Sequence, residues 1–573
     1  METFASYPST GSSPATGITT QYDALGRTRK TQANSELGIL TTEISYLPGN
    51  QVAVIDPRGH VTTTSHQTFD EPDYRLPLSV AAPEGVTTTY TRDAYGKPLT
   101  LTRSGSYTPP GGGPESLSLT RRYLYDSQQR LCKTIEPDAG ISLFLYDAAG
   151  NLAWRATGQN TLTSTTSCQT GSVGPSKRSA HVHDARNRLI AIDHPGSTED
   201  VGFTYHPDGA LHTATTGTLS ATAPLAWSSR TSEWTYSYNK RRLPTTESLH
   251  LPPENRTFAL THGYTALGHD ASLTYPDTAP GTALSIAYAP NALGQPTQAG
   301  NHAISAMYHP NGQIKGFSYG NGLARSVTQN ARGLPGRILD QYSGGKRLDH
   351  TLTYDPNANL AGLVDGLDGA QESRTFQYDA RDRLMTISAT PTSGSYTETW
   401  AYDPLDRIRR VTQPGRDWRY HYDAGTFLLS EIRNPANAPQ RSYAWSARGE
   451  WTTRTWHSAG NPGFTPPTIF RNGFEEDLIS TSGTFTFDNA ERLVSANGIT
   501  HRYDAHGRRV LTIEPMWGTR YQVYDRRGAL RYAEDSASNE RTEYIHLNGQ
   551  LVAERTRALN ASAATVAYLH SDH

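Results

Sequence analysis

Several residues have types and spacings that could do chemistry. His570, Asp572 and His573 stand close enough along the chain to ligate one metal ion, and His181 and His183 alternate as two ligands on one strand face would. An Asp recurs in motif after motif, which is what a calcium array would need. Trp418, Trp445, Trp451 and Trp456 could stack on sugar rings. Each set also has a plainer use. The three residues at the chain end sit in a tail expected to fray. His181 and His183 have no third candidate nearby. One Asp per motif is better spent on its own turn, because cation ligation needs several converging oxygens. The tryptophans suit packing between strands. No nucleophile elbow, metalloprotease helix, phosphate loop or paired-cysteine signature is read as convincing. No catalytic, cofactor or metal residue is therefore assigned.

What recurs instead is a turn. Tyr22-Asp23-Ala24-Leu25-Gly26-Arg27 returns as Tyr146-Asp147 with Gly150, as Tyr503-Asp504 with Gly507, and as Tyr524-Asp525 with Gly528. Tyr378-Asp379 and looser copies at Tyr125-Asp126, His183, Tyr354-Asp355, Tyr402-Asp403, Tyr422-Asp423 and Phe487 continue the series. Tyr205 with Gly209 and Tyr308 with Gly312 carry His206-Pro207 and His309-Pro310 where the Asp would stand. From Tyr354 to Tyr422 the step is about 20 to 24 residues, the spacing of small repeated units.

Each copy reads as a β-hairpin. Aromatic and β-branched residues fall at every second position before the motif, as in Tyr521-Gln522-Val523-Tyr524. Asp opens a tight turn by accepting amide hydrogen bonds, and Gly closes it with positive φ. Asn187, Asp382 and Asp406 at the Gly position tolerate that geometry; Gln129, Ala358 and Glu491 do not, and a different turn is expected there. A second, Pro-containing turn alternates with the first, as in Ile55-Asp56-Pro57-Arg58-Gly59 and Ile192-Asp193-His194-Pro195-Gly196. Longer loops at 109–114, 163–179 and 461–474 read as excursions from one wall. Helix is disfavoured throughout, because Gly, Pro and β-branched residues interrupt every candidate run.

Composition agrees with a thin wall. The AVILMFWYC set is 35% of 573 residues, yet there are 32 Tyr, which pack a ring and keep a hydroxyl wet. Disorder is disfavoured by aromatics at strand spacing. Lys plus Arg number 52 against 54 Asp plus Glu, so charge gives no case for nucleic acid or an anionic membrane. No apolar run approaches a membrane span, and no secretory signal is visible. Cys132 and Cys168 are the two cysteines; one bridge or two separate thiols both fit the count. Roughly 20 hairpins give about 40 strands, and at about 4.8 Å per strand the ribbon is on the order of 190 Å long. Open sheets rarely exceed about 10 strands without curling, and a barrel this large cannot fill its own interior. The expected fold is all-β, a long antiparallel meander spiralling around a space.

These motifs resemble the RHS/YD-repeat family, which includes bacterial Rhs polymorphic toxins, the C component of Tc toxins and the teneurin shell. The likeness runs from about Tyr22 to His573. Phe317-Ser318-Tyr319-Gly320-Asn321-Gly322 also looks like a recurrent piece of such arrays. The segment Tyr544-Ile545-His546-Leu547-Asn548-Gly549-Gln550-Leu551-Val552-Ala553-Glu554 is similar to the closing strand pair of Rhs arrays. Tyr568-Leu569-His570-Ser571-Asp572-His573 matches the start of the family's junction segment. The resemblance implies an extension over 1–20, a YD-repeat shell over 21–560 and the start of the junction over 561–573. It implies a non-catalytic shell, free of cofactors, that encapsulates or displays a C-terminal toxin or effector polypeptide, cut before the core region and its self-cleavage site. Partners would be that polypeptide and secretion-system or core-region components, and the location secreted or cell-surface. The alternative is a secreted or surface binding protein, for glycans or adhesion. Unpaired outer strands of such a fragment are expected to aggregate.

Overall fold

The computed structural model describes residues 1–7, 17–68, 73–109, 112–196, 199–219, 226–276, 283–367, 373–390, 394–457, 482–515, 517–559, 561 and 563–570. The expected loop at 461–474 lies outside them. Among the described residues, one antiparallel sheet of 22 strands runs from Glu2–Ser6 to Ser285–Ala287, and a second of 23 strands runs from Ala303–Tyr308 to Thr565–Tyr568. Consecutive strands pair with consecutive strands throughout, as an uninterrupted meander requires.

The two sheets are successive windings of one ribbon. Arg58 meets the carbonyl of Asp379, 321 residues on, and Glu84 meets Arg383, 299 residues on. Asn160 touches the Ala447 carbonyl at a separation of 287, Pro195 touches Asn489 at 294, and Trp234 touches Asp504 at 270. A sheet folded back on itself would pair residues whose numbers have a constant sum. Here the difference stays near constant while both members advance, which is the signature of a coil. The windings therefore enclose a space, and the accessible surface of 29349 Å² exceeds the about 20,000 Å² of a compact globule of this mass.

Along much of the coil the wall is one sheet thick. In Val86–Arg92, Thr89 and Thr91 are exposed while Thr88 and Tyr90 on the other face are half-buried. The exposed face carries small hydroxyls in register, Thr89 opposite Thr102 and Thr102 opposite Thr120. Thr102 and Thr120 share a hydrogen bond of 2.8 Å, and Thr91 and Thr100 one of 2.7 Å. β-Branched residues fit such a pleated, half-wet surface.

Near the end of each winding the arrangement changes from edge against edge to face against face. Trp234, Leu249 and Phe258 sit side by side across three strands, and Val523 and Tyr532 across two more. They meet in one dry cluster of more than twenty buried residues drawn from both windings. Trp234 and Tyr236 share the face of the turn residue Tyr238, whereas Val523 lies opposite Tyr524, since neighbours in a strand point to opposite sides. One winding's tyrosine face thus covers the other's reverse face, as in a coil tucked against itself.

Candidate functional site

The expected turn is built from one hydrogen-bond pattern. In the first copy the Gly26 amide donates to the Asp23 carbonyl at 3.1 Å and the Asp23 amide to the Arg27 carbonyl at 2.9 Å. Gly26 has φ 76°, and Gly150, Gly209, Gly312, Gly507 and Gly528 also fall between 76° and 90°. This is a tight turn followed by a left-handed bulge residue. The Asp carboxylate caps it: Asp23 Oδ1 accepts from the amides of Leu25 and Arg27, and Oδ2 from Arg27 Nε at 2.7 Å. Asp126, Asp379 and Asp403 repeat the same contacts with Arg130, Arg383 and Arg407. Asp147 and Asp355 grip Asn151 and Asn359 instead, and Asp525 reaches Arg531. Amide and guanidinium donors from Arg27 hold the Asp23 carboxyl below its ordinary range, and the Arg188 side chain is the main cause that brings Asp184 down to about 2.

Gln129, Ala358 and Glu491 correct the expectation of a different turn. They have φ of 63°, 69° and 65° and close the same hydrogen bonds, at 2.9, 3.1 and 3.0 Å. The left-handed conformation costs an ordinary residue about 1–2 kcal/mol, and the capping contacts offset it. Tyr422-Asp423 departs the other way: its turn is one residue longer and places Phe427 at φ 60°. Where His206 and His309 replace Asp, each ring nitrogen reaches a neighbouring strand's carbonyl, Tyr236 at 3.2 Å and Val327 at 2.9 Å.

The tyrosines do more than flank the turn. The hydroxyl of Tyr146 donates to the Leu131 carbonyl, Tyr205 to Leu189, Tyr378 to Leu360 and Tyr402 to Leu384, all within 2.7–2.9 Å. Tyr125, Tyr308, Tyr354, Tyr422 and Tyr503 reach back in the same way to Pro98, Pro296, Pro335, Ile408 and Leu493. Tyr22 meets the Thr3 hydroxyl instead, at 3.2 Å. Meanwhile the Arg of several turns lies over the next tyrosine ring: Arg130 over Tyr146, Arg383 over Tyr402 and Arg407 over Tyr422, at 4.8, 4.8 and 4.3 Å. Arg383 and Arg508 also donate to the next turn's Asp carbonyl. Every consensus residue thus grips its own turn or its neighbour. The repeated Tyr-Leu spacing was the sequence signal for this ladder.

Where the windings meet, turn tips of the second sit on the far edge of the first. Arg332 pairs with Glu36, Asn357 donates to Asp56 at 2.9 Å, and Arg58 donates to the Tyr378 and Asp379 carbonyls. At the overlap the contacts become deep: Trp234 Nε1 donates to Asp504 at 2.8 Å, and the Tyr275 hydroxyl to the Tyr544 carbonyl at 2.7 Å. Burial pulls His194, His501 and His546 down to about 4 and pushes Glu199 up to about 7. Glu199 lines a trough of about 760 Å³ between the windings, beside Arg230, His501 and Arg502.

Up to His570, the last described residue, the tail is docked, against the expectation that it frays. The Tyr319 hydroxyl donates to the Leu569 carbonyl at 2.9 Å, and His570 Nδ1 lies 2.7 Å from Asp340, which also holds Arg325 in two bonds of 2.8 Å. Asp572 and His573 lie outside the described residues. Cys132 and Cys168 are joined in a disulfide. His181 contacts its own strand through the Ser179 carbonyl. Trp418 lies beneath Arg416 and Arg441, Trp451 stacks with Tyr443 and Phe485, and the Trp445 N–H donates to the Leu429 carbonyl. One catalytic string was overlooked. Gly316-Phe317-Ser318-Tyr319-Gly320 has the letters of a nucleophile elbow. It lies in the strand Ile314–Tyr319, with Ser318 paired to Ala324 and Ile304, so the strand-to-helix turn such an elbow needs is missing. Among the described residues no group of three or more His, Cys, Asp or Glu converges on a metal position.

Over 95% of its length the chain superimposes on 27% of a solved chain described as TcdB2-TccC3 without hypervariable C-terminal region, with a TM-score of 0.51 and 13% identity. The chain has the RHS/YD-repeat shell fold. A second RHS-fold neighbour, the TcdB2-TccC3-Cdc42 chain, aligns with 95% of this chain and 28% of its own at TM-score 0.49 and 13% identity. No family model matches. Among curated proteins, 123 residues are 33% identical to double-stranded DNA deaminase toxin A of Burkholderia cenocepacia (strain H111), covering 20% of this chain and 8% of that protein. The chain thus spans about a quarter of the solved neighbours and under a tenth of the curated relative.

Proposed function

We propose that this chain is a non-catalytic RHS shell that encapsulates or displays a toxin or effector polypeptide on its C-terminal side. The observation that carries the reading is the near-constant separation between touching residues of the two windings, from 248 between Glu254 and Arg502 to 324 between Arg58 and Asp382. A coiled wall accounts for that pattern, and a coil too wide to fill with its own side chains leaves room for a polypeptide. In this reading residues 21–560 are the wall, residues 1–20 contribute Glu2–Ser6 to its first edge, and 561–573 lead toward the polypeptide. The toxin named in the curated relative and the hypervariable C-terminal region named in the solved neighbour support it. Secretion or surface display, and contact with export or core-region components, belong to the same proposal. Among the described residues, Trp418, Trp445 and Trp451 are engaged by neighbouring arginines, a carbonyl and rings, which supports a wall role for them.

The test is protection. A protease-sensitive polypeptide is appended after His573, and its digestion is compared with that of the same polypeptide alone, alongside electron microscopy of the particle. The expected outcome is a hollow particle whose appended polypeptide survives until the wall is cut. A filled particle, or digestion at the free rate with the wall intact, contradicts the reading.

A further inference from the structure

Residues 157–178 join Leu152–Ala156 to Ser179–His183, two adjacent strands held by only two registered pairs, Trp154 with Ala180 and Arg155 with Ser179. The preceding joints each carry four. This thin point of the wall is covered by the connecting segment itself, a strap that turns back over the sheet. Its Val173 completes a small buried cluster with Ile141, Leu143, Trp154 and Ala156, and Arg178 lies 4.6 Å over the Trp154 ring.

Two consecutive residues of Leu131–Glu136 anchor the strap. Cys132 occupies a bulge, since Tyr125 pairs with Leu131 and Leu124 with Lys133, and a bulge re-aims the side chains beside it. Cys132 is bonded to Cys168, closing 36 residues with a Cα separation of 5.6 Å. Lys133 is fully buried, and its ammonium donates to the carbonyls of Leu162 and Ser164 and to Gln169 Oε1, matching its three protons with three acceptors. The strap also carries a contact to the second winding, from Asn160 to the Ala447 carbonyl.

The two sulfurs differ in access. Cys132 is 2% exposed, whereas Cys168 is half-buried and follows three exposed residues, Thr165, Thr166 and Ser167. We propose that Cys132–Cys168 is a reducible latch, opened by a small thiol of the glutathione class, that releases the strap and leaves the wall folded. The incoming thiolate attacks Cys168 Sγ, the S–S bond breaks, and Cys132 leaves with the electron pair and takes a proton. A second thiol then attacks the mixed disulfide, freeing the Cys168 thiol and leaving the two reductant thiols oxidised to their own disulfide. The Cys132 thiol has an acceptor waiting in the Leu124 carbonyl, 3.2 Å away. Once the bond is gone, no covalent link ties the strap to Leu131–Glu136, and non-covalent contacts at Lys133, Val173, Arg178 and Asn160 remain. Removing a cross-link that closes a loop of this size raises the opening equilibrium roughly 100-fold. The latch does not depend on what the wall encloses.

Hydrogen exchange of the whole chain, with and without reduced glutathione, tests this. The expected result is about 100-fold faster exchange across 157–178 after reduction, with the turns at Asp379 and Asp403 unchanged. Cys168→Ser is expected to exchange at the reduced rate and to ignore glutathione. Unchanged strap exchange on reduction of the parent chain overturns the latch. So does acceleration of the whole wall together, which makes the bond a general support.

Discussion

The thin wall and the overlap are made of the same repeat, yet they are held in different ways. In the wall around Tyr378–Tyr422 each hairpin is tied to the next by a tyrosine hydroxyl, an arginine over a ring and a capped Asp. Large apolar side chains there are mostly half-buried, and the other winding meets turn tips, as at Asp379, together with Arg409, which lies over the Tyr107 ring. In the overlap the identical turn at Tyr503-Asp504 is pressed against Trp234, and Asp504 gives an oxygen to the indole as well as to its own turn. A nearest-neighbour ladder is enough to make a ribbon. Closing the ribbon on itself takes a dry seam, and the chain concentrates its large buried apolar side chains there.

Breaking the seam should do most. Trp234 is fully buried, so Trp234→Ala is expected to lose about 3–5 kcal/mol by chemical denaturation. Exchange should accelerate first across the strands at Phe258 and Tyr532, while the wall near Tyr402 keeps its protection. Equal acceleration in both regions would erase the distinction.

Mild acid should separate the regions next. His194, His501 and His546 are held at about 4 in the folded chain, below the 6.5 of an exposed histidine. The unfolded chain therefore binds the extra protons, and stability falls as pH drops from about 6.5 toward 4. Glu199, at about 7 against 4.5, runs the other way, so its contribution is present below about 4.5 and lost as pH rises through 7. It cancels about one of the three histidines. Each remaining proton is worth about 1 kcal/mol per pH unit. The overlap is expected to loosen between pH 6.5 and 4.5, measured by exchange at each pH, with a smaller loss in the wall at His421, which burial also lowers. Asp184, at about 2, loses its stabilising contribution only as pH falls from about 4 through that value.

The smallest effect sharpens the wall side of the contrast. Asp403→Ala removes one turn cap and the partner of Arg407, with an expected loss of about 1–2 kcal/mol. The damage should spread one hairpin either way, visible as exchange at Tyr402 and Tyr422, and leave Trp234 protected.

Much of this was legible in the residues. Asp23, Gly26 and their copies have local jobs, and a local job leaves a local spacing. Gln129, Ala358 and Glu491 were misread because the sequence shows a missing glycine and not the carboxylate, with its arginine or asparagine, that holds the turn without one. The seam between Arg58 and Asp379 was invisible for a different reason: partners 321 residues apart leave no period to find. The docking of His570 on Asp340 was hidden in the same way. The cysteines were counted correctly and left open, since nothing in a count places the strap that brings Cys168 back to Cys132.

Cross-linking between windings tests the central claim most directly. Cysteines placed at Glu36 and Arg332, and separately at Asp56 and Asn357, should be joined by a short thiol-reactive cross-linker in the intact chain, whereas Glu36 with Asn489 should not. Cross-links whose residue numbers keep a steady difference near 300 are the predicted result. Cross-links whose numbers keep a steady sum, or none between the two sheets, would mean that the ribbon does not coil.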